Sequence, residues 1–236
     1  MLPETYPWRM AYYKLNALEW LAEHQGKSLL LDVDAFFVSS IKDLIEEAQT
    51  GLFLFDTQHR FHHPFRTKIR NLQNDLLVES QNPIHYGGES VFGEQTVLKI
   101  FTEECSRIFD SMTSQLKIFT PEQDQGDEVV LSIAADRLVN SGKITVRPIN
   151  PYLNRYWTSN GFNLISTNYK FNPVSIWHLP LEKKDGLLTL YDYIQKHNDL
   201  PPLQELYYMV HLEKTEVRLI KDMILKRLRR WGLWKN

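Results

Sequence analysis

The stretch SLLLDVDAFFVSS, residues 28–40, constrains this chain most. An apolar run carries two aspartates, one residue apart, into a pair of phenylalanines. Ser28 to Leu31 precede Asp32, and the β-favouring Phe36, Phe37 and Val38 follow Asp34, so the stretch reads as a buried strand with its polar end at Asp32 to Asp34. Alternate residues of a strand face the same way, so both carboxylates are expected to converge on one object. Two such charges repel unless a cation or a proton lies between them, and a metal ion is the first candidate.

The rest of the chain reads as α/β. Residues 8–24 carry Met10, Tyr13, Ala17, Leu18 and Leu21 at helical spacing and feed the strand through Gln25-Gly26-Lys27. Ser39 or Ser40 can cap a second helix, IKDLIEEAQ, ahead of the strand-like GLFLFD. Strand, helix, strand is the α/β signature. The polar and basic segment 57–86 predicts a loop and a helix, and in YGGESVFG the pair Gly87-Gly88 permits a tight backbone turn or close approach to a ligand. A helix is expected from Gln95 to Met112 on the stripe Val97, Leu98, Phe101, Cys105, Ile108 and Phe109, and another in DEVVLSIAADRLV after Gly126. Residues 144–180 suggest short strands and loops ending in PVSIW and His178. Beyond Gly186 the pattern is helical, broken at Pro201-Pro202. The division expected is a main domain over 1–186 and a helical C-terminal extension over 187–236.

Charge and cysteine content narrow the function classes. The formal net charge of −2 provides no global basic field, so a nucleic-acid partner is not expected. The single cysteine, Cys105, excludes an internal disulfide framework and a Cys-rich zinc site, and fits a reducing compartment. No stretch approaches the roughly 18 apolar residues of a membrane span. A cytoplasmic location is expected, with membrane association through one segment: Leu212 to Asn236 holds eight Lys or Arg against three acidic residues. There Leu219, Ile220, Met223, Ile224, Leu228 and Trp231 form an apolar stripe beside Lys221, Lys226, Arg227, Arg229 and Arg230. A helix packed on its domain has this pattern, and so does a basic amphipathic helix; residues 212–234 suit peripheral contact with an anionic membrane.

Three chemistries use a strand-end Asp-x-Asp. Phosphatases of the haloacid dehalogenase type continue into Gly-Thr, whereas Ala35-Phe36 follows here. Y-family DNA polymerases carry a very similar DxDAFF string, but their later Ser-x-Asp-Glu pair and long basic surfaces are missing; Asp127-Glu128 opens a helix pattern instead. In its order of elements, the chain resembles GT-A-type nucleotide-sugar glycosyltransferases over roughly residues 10–185. YYKLNALEWLAEHQGKSLLLDVDAFFVSSIKDLIEE is similar to their helix, strand, Asp-x-Asp and following helix. YGGESVFGEQTVLKIFTEECSRIFD looks like their Gly-rich acceptor-side segment and helix, GDEVVLSIAADRL like their acidic helix start, and SIWHLP like their late histidine-bearing strand.

That resemblance implies a metal-dependent glycosyltransferase with a GT-A-like, Rossmann-like mixed sheet flanked by helices. Its donor would be a nucleotide sugar and its acceptor a hydroxyl of a glycan, lipid or protein. Asp32 and Asp34, with His178 through a neutral ring nitrogen, would hold Mn²⁺ or Mg²⁺, which bridges the donor phosphates. Gly87, Gly88 and Glu89 would shape the sugar pocket. Asp127 or Glu128 would orient the acceptor hydroxyl or take its proton, and Lys183 or Lys184 would meet the diphosphate. The nucleoside pocket of this fold is built ahead of the Asp-x-Asp, where a single βαβ unit already takes about 30 residues. Only 31 residues precede Asp32, so the nucleotide-binding start reads as short or missing. Two alternatives stand beside transfer: a non-catalytic remnant acting as a binding or scaffold subunit, and a polymerase-like nucleotidyl enzyme.

Each candidate residue also has a plainer reading. Asp32 and Asp34 can be solvated carboxylates at a strand end, His178 a histidine bonded to backbone, and Gly87-Gly88 a turn. Asp127 and Glu128 suit a helix N-terminus electrostatically. His59, His62 and His63 lack a further clustered ligand, so a solvated loop is expected there rather than zinc. Cys105 reads as helix-face filler with no evident base partner.

Overall fold

The computed structural model describes residues 11–48, 51–76, 83–115, 126–158 and 174–213, with Ile220, Ile224 and Arg227. It is a mixed α/β structure whose contacts divide it into two compact units: residues 1–32 with 40–153, and 33–39 with 154–236. This division cuts the chain elsewhere than at residue 186.

The first unit is built on a four-stranded mixed sheet. Its strands are β1 (Lys27–Leu31), β3 (Leu52–Asp56), β4 (Tyr86–Glu94) and β5 (Val146–Pro148), in the order β1-β4-β3-β5. β4 runs antiparallel to β1 and β3, and β5 runs parallel to β3. The all-apolar LFLF of β3 is buried on both faces, as a strand covered on both sides of its sheet should be. YGGESVFGE forms this β4 rather than a turn. Gly87 and Gly88 are thus strand residues rather than a turn, and Gly88 is approached closely by side chains of the chain itself. A Cβ there would collide with the Asp127 carboxylate.

The helices of this unit are α1 (Tyr13–Ala22), α2 (Lys42–Glu47), α3 (Pro64–Asp75), α4 (Gln95–Gln115) and α5 (Asp127–Asn140). In α4 the residues Leu98, Phe101, Cys105, Ile108 and Met112 recur at intervals of three and four and are fully buried. Each large apolar member of that stripe contributes about 1.5–3 kcal/mol through burial. The stripe packs against α1, through Leu15, Leu18 and Ala22, and against α5. Burial raises the Cys105 thiol well above the ordinary range, consistent with core filler. The Ser40 hydroxyl accepts from the Lys42 N–H at 3.2 Å beside the start of α2.

The second unit carries a three-stranded sheet in the order β2-β7-β6, formed by β2 (Ala35–Phe37), β6 (Leu153–Arg155) and β7 (Ile176–His178). β2 pairs antiparallel with β7, Ala35 opposite His178. Trp177 is the hub of its core, meeting Phe36, Tyr156 and Tyr207 ring to ring. Helices α6 (Gly186–His197) and α7 (Leu203–Met209) add Leu190 and Leu206 to the same core. Of the basic segment 212–234, Ile220, Ile224 and Arg227 are helical and exposed; most of the rest lies outside the described residues. No described helix is long and apolar enough to cross a membrane.

The stretch 28–38 is therefore not one strand. β1 ends at Leu31, the chain turns, and β2 begins at Ala35 in a different sheet. Backbone pairing explains the break. The Asp32 N–H donates to the Glu89 carbonyl and extends the β1–β4 ladder, whereas the Asp34 carbonyl accepts from Leu179 in the β7 neighbourhood. Val33, between them, is 93% exposed. Strand alternation thus does not govern how the two aspartates point.

Candidate functional site

In the first unit, Lys14 on α1 gathers the acidic groups. Its ammonium lies 2.7 Å from Asp32 Oδ1 and 3.1 Å from Asp127 Oδ2, and donates to the Gly88 carbonyl at 2.8 Å. Only a strand residue without a side chain permits this approach, because a Cβ at Gly88 would also crowd the Lys14 Nζ at 3.1 Å. Burial raises the Asp127 carboxyl above its usual range; Lys14 opposes the shift, while Glu128 and Asp32 add to it. For Lys14, burial works against the charged form, but Asp127 and then Asp32 outweigh it and hold the ammonium above the ordinary lysine value.

Glu128, next in α5, belongs to a second set of contacts. One oxygen accepts from the Gly88 N–H at 3.3 Å and the other lies 2.9 Å from Nε2 of His85. The buried His85 ring in turn places Nδ1 2.8 Å from Nδ1 of His59. His59 is therefore tied to a partner, and its ring stacks on His63 at 3.6 Å. The expectation of a merely solvated loop does not hold for these two histidines. Glu89 is buried within β4.

In the second unit, Asp34 is 1% exposed. Its Oδ1 lies 3.3 Å from Nε2 of His178, and its Oδ2 lies 3.0 Å from the Lys183 ammonium. Burial pushes the Asp34 carboxyl upward, but its hydrogen bond with His178, followed by the charges of His178 and Lys183, holds it at about 2. The loop bearing Lys183 is fixed by the buried Glu182 carboxylate, which accepts from the Thr158 hydroxyl and from the Gly186 N–H and lies 2.7 Å from Nδ1 of His211. Lys184 is exposed and takes no part.

Several of the sequence candidates are thus grouped within their units: Asp32 with Asp127, Glu128 with Gly88, and Asp34 with His178 and Lys183. Lys14 and His85 were missed. Lys14 carried a signal, since it lies four residues before Leu18 on the buried stripe of α1. His85 carried none, because its partner Glu128 is 43 residues away.

No family model matches the sequence, and no curated protein matches it. Among solved structures, mouse xyloside xylosyltransferase 1 in its apo form is similar over 72% of this chain, with a TM-score of 0.41 and 8% identity. The chain spans 62% of that protein's chain.

Proposed function

We propose that this chain is a metal-dependent glycosyltransferase of GT-A-like architecture, moving a sugar from a nucleotide-sugar donor to a hydroxyl acceptor. The observation that carries the reading is the placement of Asp34, a buried carboxylate whose Oδ1 lies 3.3 Å from Nε2 of His178. A carboxylate and a neutral imidazole form a donor set that suits Mn²⁺, and suits Mg²⁺ less well. Asp34 and His178 would hold the ion. Asp32, two residues upstream in the Asp-x-Asp, would add the second carboxylate.

The ion would supply neutralisation of the departing nucleoside diphosphate. Lys183, released from Asp34 when a cation takes its place, would turn to the same phosphates. Gly88 keeps the backbone open beside Asp127, Gly87 and Glu89 line the same strand, and Glu128 would accept the proton of the acceptor hydroxyl. Lys184 would be a peripheral phosphate contact, and the basic residues of 212–234 would hold the chain at an anionic membrane surface.

Calorimetric titration with nucleoside diphosphates, with and without Mn²⁺, tests this reading. Mn²⁺-dependent binding that Asp34→Asn reduces tenfold or more is expected; equal binding by parent and variant would remove the site assignment. A second reading has its own observation, because Lys14 already neutralises Asp32. The chain would then be a scaffold with internally balanced charges, and would bind neither Mn²⁺ nor nucleotide.

A further inference from the structure

The loop and helix over residues 57–74 stand apart in charge. Between Asp56 and Asp75, the last residue of α3, lie Arg60, Arg66, Lys68 and Arg70 and no further Asp or Glu, in a chain whose formal net charge is −2. Local excess of this kind repels itself unless an anion answers it. His63, which caps α3, is followed at helical spacing by Arg66 and Arg70, so the three share one face of the helix.

Two of the arginines have different tasks. Arg66 is committed to structure: Nε donates to the Pro83 carbonyl at 2.9 Å and Nη1 to the His59 carbonyl at 3.0 Å. It thereby fixes the loop that bears Phe61. Arg70 lies over that ring, its guanidinium carbon 4.1 Å from the Phe61 centroid, and Nη2 donates to the Thr67 hydroxyl at 3.0 Å. No carboxylate among the described residues pairs with Arg70 or with the exposed Arg60. A guanidinium stacked on an aromatic face keeps its remaining N–H edge available and loses little entropy on binding, which is the arrangement that receives a phosphate bidentately.

We propose that Arg70, stacked on Phe61 and assisted by Arg60, is the recognition site for a phosphate group carried by a soluble acceptor. The link to the acceptor is the hydrogen-bonded set His59, His85 and Glu128, which joins this loop to the carboxylate proposed as the base. The inference rests on the transfer reading only in naming the bound molecule an acceptor. A membrane surface fits less well: of the two exposed aromatics here, Phe61 lies beneath Arg70, which leaves little apolar area to enter lipid.

The experiment is a titration of the full chain, in the presence of a chelator, with glucose 6-phosphate and with glucose. Binding of the phosphate ester alone is expected, weakened tenfold or more by Arg70→Met and severalfold by Arg60→Gln, with both variants keeping the parent's melting temperature. Lys99→Gln, on α4 rather than α3, should change the affinity for glucose 6-phosphate less than twofold. Equal loss in all three variants would mean a diffuse field and overturn the site. So would failure of glucose 6-phosphate to bind, or binding only to vesicles of phosphatidylcholine and phosphatidylglycerol. If glucose 6-phosphate binds through Arg70 while no nucleotide binds with Mn²⁺, the transfer reading fails and the phosphate site stands.

Discussion

The two aspartates of one tripeptide meet a lysine each, yet the clusters they join differ in kind. Asp32 shares Lys14 with Asp127, so one ammonium serves two carboxylates, and the more buried of these, Asp127, is raised toward its neutral form. Asp34 lies against Lys183 and the His178 ring and is held at about 2. The contrast teaches that an Asp-x-Asp is not two copies of one ligand. The first aspartate is part of a crowded anionic cluster that a tethered cation holds together, while the second is a committed anion beside a nitrogen donor.

The largest effect should separate the two cores beneath these clusters. Trp177→Ala empties the hub of the second unit and Phe101→Ala a fully buried position of the first, each costing about 3–5 kcal/mol. Residue-resolved hydrogen exchange should confine the Trp177→Ala loss to β2, β6, β7, α6 and α7. Equal loss of protection in α4 would mean that a single core supports both clusters.

Next in size is Lys14→Met, which leaves Asp32 and Asp127 together without their cation. The cost should be about 2 kcal/mol, below the 3–5 of a wholly buried pair because a quarter of the lysine side chain is exposed. Urea unfolding measures it, and Lys14→Met with Asp127→Asn should recover part of the loss. No recovery would place the effect in packing rather than charge.

The smallest effect is the most discriminating. With metal chelated, the depressed Asp34 contributes stability that is present above its unfolded value near 4 and is lost as pH falls toward 2. The gap between parent and Asp34→Asn should therefore narrow on acidification. Asp127, whose folded value is raised, favours the fold most below the unfolded value, and that contribution is lost as pH rises through the folded one. Relative to the parent, Asp127→Asn should thus improve with rising pH. Melting temperatures from pH 2.5 to 7 would show the two trends; parallel trends would erase the distinction between the clusters.

The α/β class was legible because it rests on periodicity. The stripe of α4, the LFLF strand and the start of α5 after Gly126 appear where the sequence puts them. Asp34 with His178 and Lys183 was reached through order along the chain rather than through any spacing rule. The break at Val33 was not legible, since an apolar residue between two strand-formers carries no signal that hydrogen-bonding partners change there. β4 was mistaken for a turn because glycine pairs usually mark one; here the missing side chains make room for Lys14 and Asp127. His85 and Lys14 illustrate the remaining limit, as their partners are fixed by tertiary packing alone.

The crossing at Val33 also bears on how the protein is made. β2 pairs with β7, Phe36 opposite Trp177, across 141 residues of sequence. At about 5–20 residues per second, a ribosome needs roughly 7–30 s to synthesise that interval. For all of that time three hydrophobic residues, Ala35 to Phe37, have no strand to join, although β1 can pair as soon as β4 is made. A nascent chain stalled between residues 100 and 170 would therefore present this short edge to chaperones, and β2 would gain protection only after β7 is made.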